Sequence, residues 1–152
     1  MEEKLYKALK FICFLLMLAM VSIIFLQVLA RYLFSNSLSW SEELGRFLFV
    51  WMTFLGAALA LREKMHVALD LLIMKMPRPL QKICLSIGYL AMFLFTCVLI
   101  YGGYRFVAKS SHQISAAMQI PMIYVYLVLP VGGALILFYV IRSFYERVLA
   151  RS

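Results

Sequence analysis

Four apolar runs, at residues 11–30, 44–61, 83–104 and 121–141, limit what this chain can fold into. Each approaches the ~20 residues that a helix needs to cross ~30 Å of hydrocarbon. The second reaches that length only when its partly polar first turn is counted, giving a span over 41–61. None of the runs alternates apolar with polar residues, so a barrel of strands is discarded. Hydrophobic residues make up 65% of the 152 positions and charged residues only 14%. Too few polar side chains remain to cover a water-exposed globule, so lipid must cover part of the surface. The expectation is an all-α membrane protein: one domain over 1–152 with four transmembrane helices.

The basic residues set an orientation. Lys4, Lys7 and Lys10 precede the first run; Arg62, Lys64, Lys75, Arg78 and Lys82 fall between the second and third; Arg142, Arg147 and Arg151 follow the fourth. Only Arg31, Arg46, Arg105 and Lys109 lie on the other side. Loops rich in Lys and Arg stay in the cytoplasm, so both termini are expected inside. The formal charge of +8 then reads as a topology signal and an attraction to anionic membrane lipid, not as a nucleic-acid footprint. Val28-Leu29-Ala30 would be a tolerable signal-cleavage site, but the apolar stretch before it exceeds the usual 7–15 residues, which favours a retained span. Cys13, Cys84 and Cys97 fall in or beside apolar runs and offer neither a disulfide framework nor metal spacing.

Between the second and third runs, Met65, Ala68, Leu69, Leu72, Ile73 and Met76 repeat with helical spacing, while Glu63, His66 and Asp70 share the opposite face. Twelve residues cannot span, and Pro77 and Pro79 end the pattern. An amphipathic helix over 65–76, lying in the cytoplasmic interface or extending the second span, is expected. Upstream, Ser39-Trp40-Ser41-Glu42 fits a capping box with Ser39 as N-cap. Trp40 is placed at the interface and Trp51 deeper. Pro121 suits the first turn of the fourth helix, Pro130 should kink it, and Gly132 and Gly133 should admit a close neighbour.

No converging set of catalytic groups, phosphate loop or metal cluster is present in the sequence, so no enzyme activity and no cofactor are expected. A haem held between His66 and His112 fails on topology, because the two are placed on opposite sides, about 30 Å apart. A self-sufficient small transporter would need a deep ionisable site, and the central turns of all four spans lack one. The polar residues nearest the hydrocarbon are Gln27, Arg31, Glu42, Glu43 and Arg46. On one reading, Glu42–Arg46 is a local i,i+4 pair and Arg31 snorkels. On the other, these charges engage a larger membrane partner or an outside protein, since they are costly near lipid without partners.

The stretch from Gln27 to Asp70, containing RYLF and SLSWSEELGRFLFVWMTFLGAALALREKMHVALD, resembles the small membrane subunit of tripartite ATP-independent periplasmic (TRAP) transporters. QIPMIYVYLVLPVGG, residues 119–133, resembles the fourth-span signature of the same family. The residues that carry the likeness are Trp40, Glu42, Glu43, Arg46, Phe49-Val50-Trp51, Gly56, His66 and Asp70. The resemblance implies the small part of a three-part importer. A periplasmic binding protein captures an organic acid, such as a dicarboxylate, a keto acid or sialic acid. A large membrane subunit carries the substrate inward on a sodium gradient. A chain similar to this one would pair with the large subunit in the bacterial inner membrane and help dock the binding protein. The candidate interface residues are therefore Gln27, Arg31, Trp40, Glu42, Glu43, Arg46, Trp51, Gly56, His66, Asp70, Pro130 and Gly132. A redox-complex anchor subunit and an autonomous small transporter are the alternatives.

Overall fold

The computed structural model describes residues 2–34, 38–63 and 77–145. They form α1 (Glu2–Phe34), α2 (Ser39–Arg62), α3 (Arg78–Lys109), a single turn α4 (Ile123–Tyr126) and α5 (Val128–Phe144). Four stretches, Glu3–Leu33, Ser39–Arg62, Leu80–Lys109 and Ile123–Phe144, are long and apolar enough to cross a membrane. The 65–76 segment, with His66 and Asp70, lies outside the described residues.

Two helices outrun the predicted spans. α1 has 33 residues and α3 has 32, about 50 Å and 48 Å at 1.5 Å per residue. α1 contains neither glycine nor proline, so nothing breaks it before the hydrocarbon begins, and Lys4, Lys7 and Lys10 are helical. Pro77 is the extended N-cap of α3, and the proline in its first turn occupies a position where a missing N–H costs nothing.

The start of α2 differs from the expected capping box. Leu38 is the N-cap, and no side chain caps the helix. The Ser41 hydroxyl donates back to the Leu38 carbonyl at 2.7 Å instead. The fourth span also starts later than expected: Pro121 sits in an isolated bridge with Ile114, and helix begins at Ile123. It is interrupted at Leu127, whose backbone remains right-handed (φ −55°, ψ −25°). Pro130 then falls in the first turn of α5, where it has no N–H to offer the Tyr126 carbonyl. The irregularity expected at Pro130 is thus displaced one turn toward the N-terminus.

Packing runs in the order α1, α2, α5, α3. Among the described residues α1 meets α2, α2 meets α5, and α5 meets α3, while α3 approaches neither α1 nor α2 through its backbone. The bundle is therefore an open row, not a closed four-helix ring. Glycines set two of these contacts. A Cβ added at Gly132 would sit 2.8 Å from Phe54 Cβ on α2, and one at Gly133 would sit 2.8 Å from Ile100 Cγ1 on α3. Such small residues let helices approach where lipid gives no hydrophobic drive. The core gathers Leu9, Leu55, Ala58, Ile136, Tyr139 and Val140, with Trp51, Tyr89 and Met92 against it. The Ser22, Thr53 and Thr96 hydroxyls each donate to the carbonyl four residues back, which satisfies them without water.

The core also fixes two ends of the row. The start of α1, the end of α2, the start of α3 and the end of α5 share one end, called here the terminal face, as the Tyr6–Glu63 and Tyr89–Phe144 contacts show. The 110–122 loop and the start of α2 share the other.

Candidate functional site

At the end opposite the terminal face, the two adjacent acids of α2 part ways. Successive helical residues point 100° apart, so Glu42 is exposed while Glu43 turns inward and is 7% exposed. Its carboxylate accepts the backbone N–H groups of Ala116 (3.1 Å), Ala117 (2.9 Å) and Met118 (2.8 Å). Consecutive amides converging on one anion form a nest, the backbone counterpart of a phosphate cradle. Buried Ser115 lies beside the same carboxylate.

The loop folds to present those amides. Ser115 N–H donates to the Ile120 carbonyl at 2.9 Å and Met122 N–H to the Gln113 carbonyl at 2.9 Å, which closes a small hairpin. Its turn needs a left-handed residue, which Gln119 supplies at φ 56°. A non-glycine residue there is uncommon, and the Gln119 side-chain amide braces the turn by donating to the Ala116 carbonyl. A carboxylate from α2 thereby holds a loop between α3 and α4.

The other expected members of the polar group do not assemble. Arg31, Glu42 and Arg46 are exposed and Gln27 is half-buried. Among the described residues none of them forms an ion pair or hydrogen bond with another, so the local Glu42–Arg46 pair is not made. Glu42, Arg46, Phe49, Thr53 and Ala57 instead form one exposed stripe along α2. The stripe leads into an apolar groove of about 310 Å³, where Ala57, Ala60 and Leu61 face Phe95 and Thr96 of α3 across Ile136 and Val140. Gly56 is half-buried, with nothing within 4 Å of a Cβ placed on it, and does not line this groove. Trp40 is exposed and Trp51 packs on the core. Pro130 and Gly132 lie inside the helix row: the Pro130 ring is 3.1 Å from a Cβ placed on Gly103, and Gly132 abuts Phe54.

A second polar cluster, at the terminal face, escaped the sequence reading. Tyr6 donates to Glu63 Oε1 at 2.6 Å, and Lys10 Nζ lies 3.7 Å from the same oxygen. The Arg62 guanidinium stacks 4.3 Å above the Tyr6 ring. This ties the first turns of α1 to the last turn of α2. Only the antiparallel register brings residues 6 and 63 together, which no local spacing reveals. Among the described residues no three His, Cys, Asp or Glu side chains come together as a metal site.

Residues 20–150 match the family described as tripartite ATP-independent periplasmic transporters, DctQ component. A Haemophilus influenzae protein provisionally named a TRAP transporter small permease is 39% identical over 64% of this chain and 60% of its own length. The C4-dicarboxylate TRAP transporter small permease protein DctQ of Rhodobacter capsulatus is 36% identical over 67% of this chain and 46% of its own length. The sialic acid TRAP transporter permease protein SiaT of Haemophilus influenzae is 33% identical over 84% of this chain but only 21% of its own length. The matched stretch covers 60% or less of each of these three relatives.

Proposed function

Because the chain belongs to the family of the DctQ component of tripartite ATP-independent periplasmic transporters, we propose that it is the non-catalytic small membrane subunit of a sodium-coupled importer of organic acids. It braces a large permease subunit in the bacterial inner membrane, with both termini in the cytoplasm. A periplasmic binding protein delivers the substrate at the opposite face, where Glu43 holds the 113–122 hairpin in shape. Dicarboxylates or sugar acids such as sialic acid are the substrate classes, in line with the names of the relatives.

The observation that carries this reading is the open face of α2. Glu42 and Arg46 stand exposed at the head of a stripe that continues through Phe49 and Thr53 into the α2–α3 groove. Charged groups left at the edge of hydrocarbon without partners are costly, so a protein surface is the natural cover. In the sialic acid permease, the region similar to this chain is about a fifth of one longer polypeptide. That supports a large membrane partner encoded beside such a unit.

The test is reconstitution. Vesicles holding this chain, the large subunit and the binding protein should accumulate an organic acid only under an inward sodium gradient. Full uptake without this chain, or uptake indifferent to sodium, would overturn the proposal. Cysteines at Arg46, Phe49 and Thr53 should crosslink to the large subunit, and cysteines at buried Leu55 and Ala58 should not.

A further inference from the structure

The charges that bound the apolar stretches do not line up across the helix row. Tyr6 bonds Glu63, and a Cβ on Gly45 would sit 3.8 Å from Ile24 Cγ1, so α1 and α2 keep one antiparallel register along their length. Arg46 is therefore level with Ile23, about 12 Å nearer the terminal face than Arg31. Gly132 against Phe54 sets the parallel register of α5 and α2. Gly133 against Ile100, Gly103 against Leu129 and Tyr89 against Phe144 set the antiparallel register of α5 and α3. Through these contacts Arg105 of α3 is level with Val128, Val50 and Ala19, about 18 Å nearer the terminal face than Arg31. Its guanidinium lies 5.9 Å over the Tyr101 ring, which carries the charge further the same way.

The edge at the terminal face is displaced in the same direction. Lys10 closes the apolar stretch of α1 and is level with Leu59, Leu137 and Thr96. Lys82, which closes the stretch of α3, lies about 21 Å beyond Thr96. Yet each stretch is one membrane thick: residues 11–30 of α1 and 83–104 of α3 carry no charge, about 30 Å and 33 Å of helix. Exposed aromatic side chains trace the same slope at the other end. Tyr32, Trp40, Tyr124 and Tyr104 are exposed on α1, α2, α4 and α3. Referred to α1, they stand level with residues 32, 29, 23 and 18, a descent of about 21 Å in row order. Tyr and Trp collect at membrane–water interfaces, so one interface passes through all four.

We propose that the row sits obliquely in the bilayer, with a slanting band of lipid contact and helices that lean about 35° in the plane of the row. A drop of about 18–21 Å over three helix spacings of about 8–10 Å gives that lean, which falls within the range of about 0–40° open to transmembrane helices. Upright helices would hold Arg105 about 18 Å below the level of Arg31, where a charge is costly. They would also put Glu43, level with Leu26, and the irregular backbone it holds inside the hydrocarbon, where lipid does not tolerate such backbone. The lean brings all of these groups to the interface. The inference needs only that these helices cross a bilayer, so it stands apart from the transport reading.

The experiment is spin labelling of the full chain in vesicles of phosphatidylethanolamine and phosphatidylglycerol, with depth read by power saturation against oxygen and a nickel chelate. Single cysteines are placed at Leu18, Tyr104 and Phe11 in a chain with Cys13, Cys84 and Cys97 changed to Ala, and Cys97 alone is kept for the fourth label. All four positions are exposed. Leu18 is level with Tyr104 along the helices, and Phe11 with Cys97. In a leaning row Leu18 should lie about 10 Å deeper than Tyr104, and Cys97 about 10 Å deeper than Phe11. Circular dichroism of each labelled chain confirms that the helices persist. Equal depths within the pairs overturn the proposal, because the helices then stand upright. A difference in one pair alone also overturns it, since thinning of a single leaflet would produce that.

Discussion

The Glu43 carboxylate and the Met118 amide lie 2.8 Å apart although 75 residues separate them in sequence. Ala116 and Ala117 add their amides to the same group, so one side chain organises a loop that has no core of its own. Glu43→Gln keeps the shape but replaces one acceptor oxygen with an NH2 that faces an N–H. The amides of 116–118 should then exchange with solvent faster, on the order of ten-fold, and Glu43→Ala should remove their protection altogether. Hydrogen exchange read by mass spectrometry on the 110–122 peptide checks this. Unchanged exchange in both variants would mean that the hairpin holds itself.

The glycines give a graded prediction about helix packing. Gly103→Ala drives a Cβ to 2.8 Å from Leu129 Cβ and 3.1 Å from the Pro130 backbone nitrogen, and neither atom can rotate away. Gly132→Ala meets Phe54 Cβ at 2.8 Å, again close to backbone. Each should destabilise the chain by about 1–3 kcal/mol, the usual cost of overpacking. Gly133→Ala meets Ile100 Cγ1, a side-chain atom that can shift, and should cost less. Thermal unfolding in detergent gives the order: Gly103 and Gly132 first, Gly133 after.

The features that the sequence revealed are those in which residue type alone carries the physics. Run length and hydropathy expose the four spans, and Pro130 and Gly132 announce an interruption and a close approach whatever lies around them. The Glu43 nest was half legible: two acids at the head of α2 were visible, but their partners are backbone amides, which every residue owns. Nor could adjacency in sequence show that Glu42 is exposed while Glu43 is buried, since that depends on which flank of α2 is covered. The capping box failed for a related reason. Ser41 satisfies itself on the Leu38 carbonyl, so Ser39 is already helical.

The terminal-face cluster should matter little to stability. Glu63 is exposed, and its ion pair with Lys10 spans 3.7 Å between groups that water reaches. Such pairs contribute about 0–1 kcal/mol. The shorter Tyr6 hydrogen bond adds about 0.5–1.5 kcal/mol. Tyr6→Phe keeps the ring under Arg62 and should lower the melting temperature slightly; Tyr6→Ala also loses the stacking and should lower it more. Equal losses in both variants would assign the effect to the hydroxyl alone.

The open face of α2 separates stability from assembly. Gly56 has no atom within 4 Å of a Cβ built on it, so Gly56→Ala should not lower the melting temperature of the isolated chain. If a large subunit packs there, the same change forces its helix outward, and recovery of the complex should fall. Arg46→Ala follows the same logic with charge in place of volume. Arg46 has no ion-pair partner among the described residues, so its loss leaves no buried acid exposed within this chain. Membrane insertion, set by the apolar runs and basic loops, should be normal. A partner carboxylate left unpaired near hydrocarbon would nevertheless weaken assembly and uptake together. Glu42→Ala should act in the same direction without loosening the 113–122 hairpin, because the loop amides are accepted by Glu43 and not by Glu42. The measurement is uptake normalised to complex recovered, set beside the melting temperature of the isolated subunit. Wild-type assembly and uptake in all three variants would move the partner surface off α2.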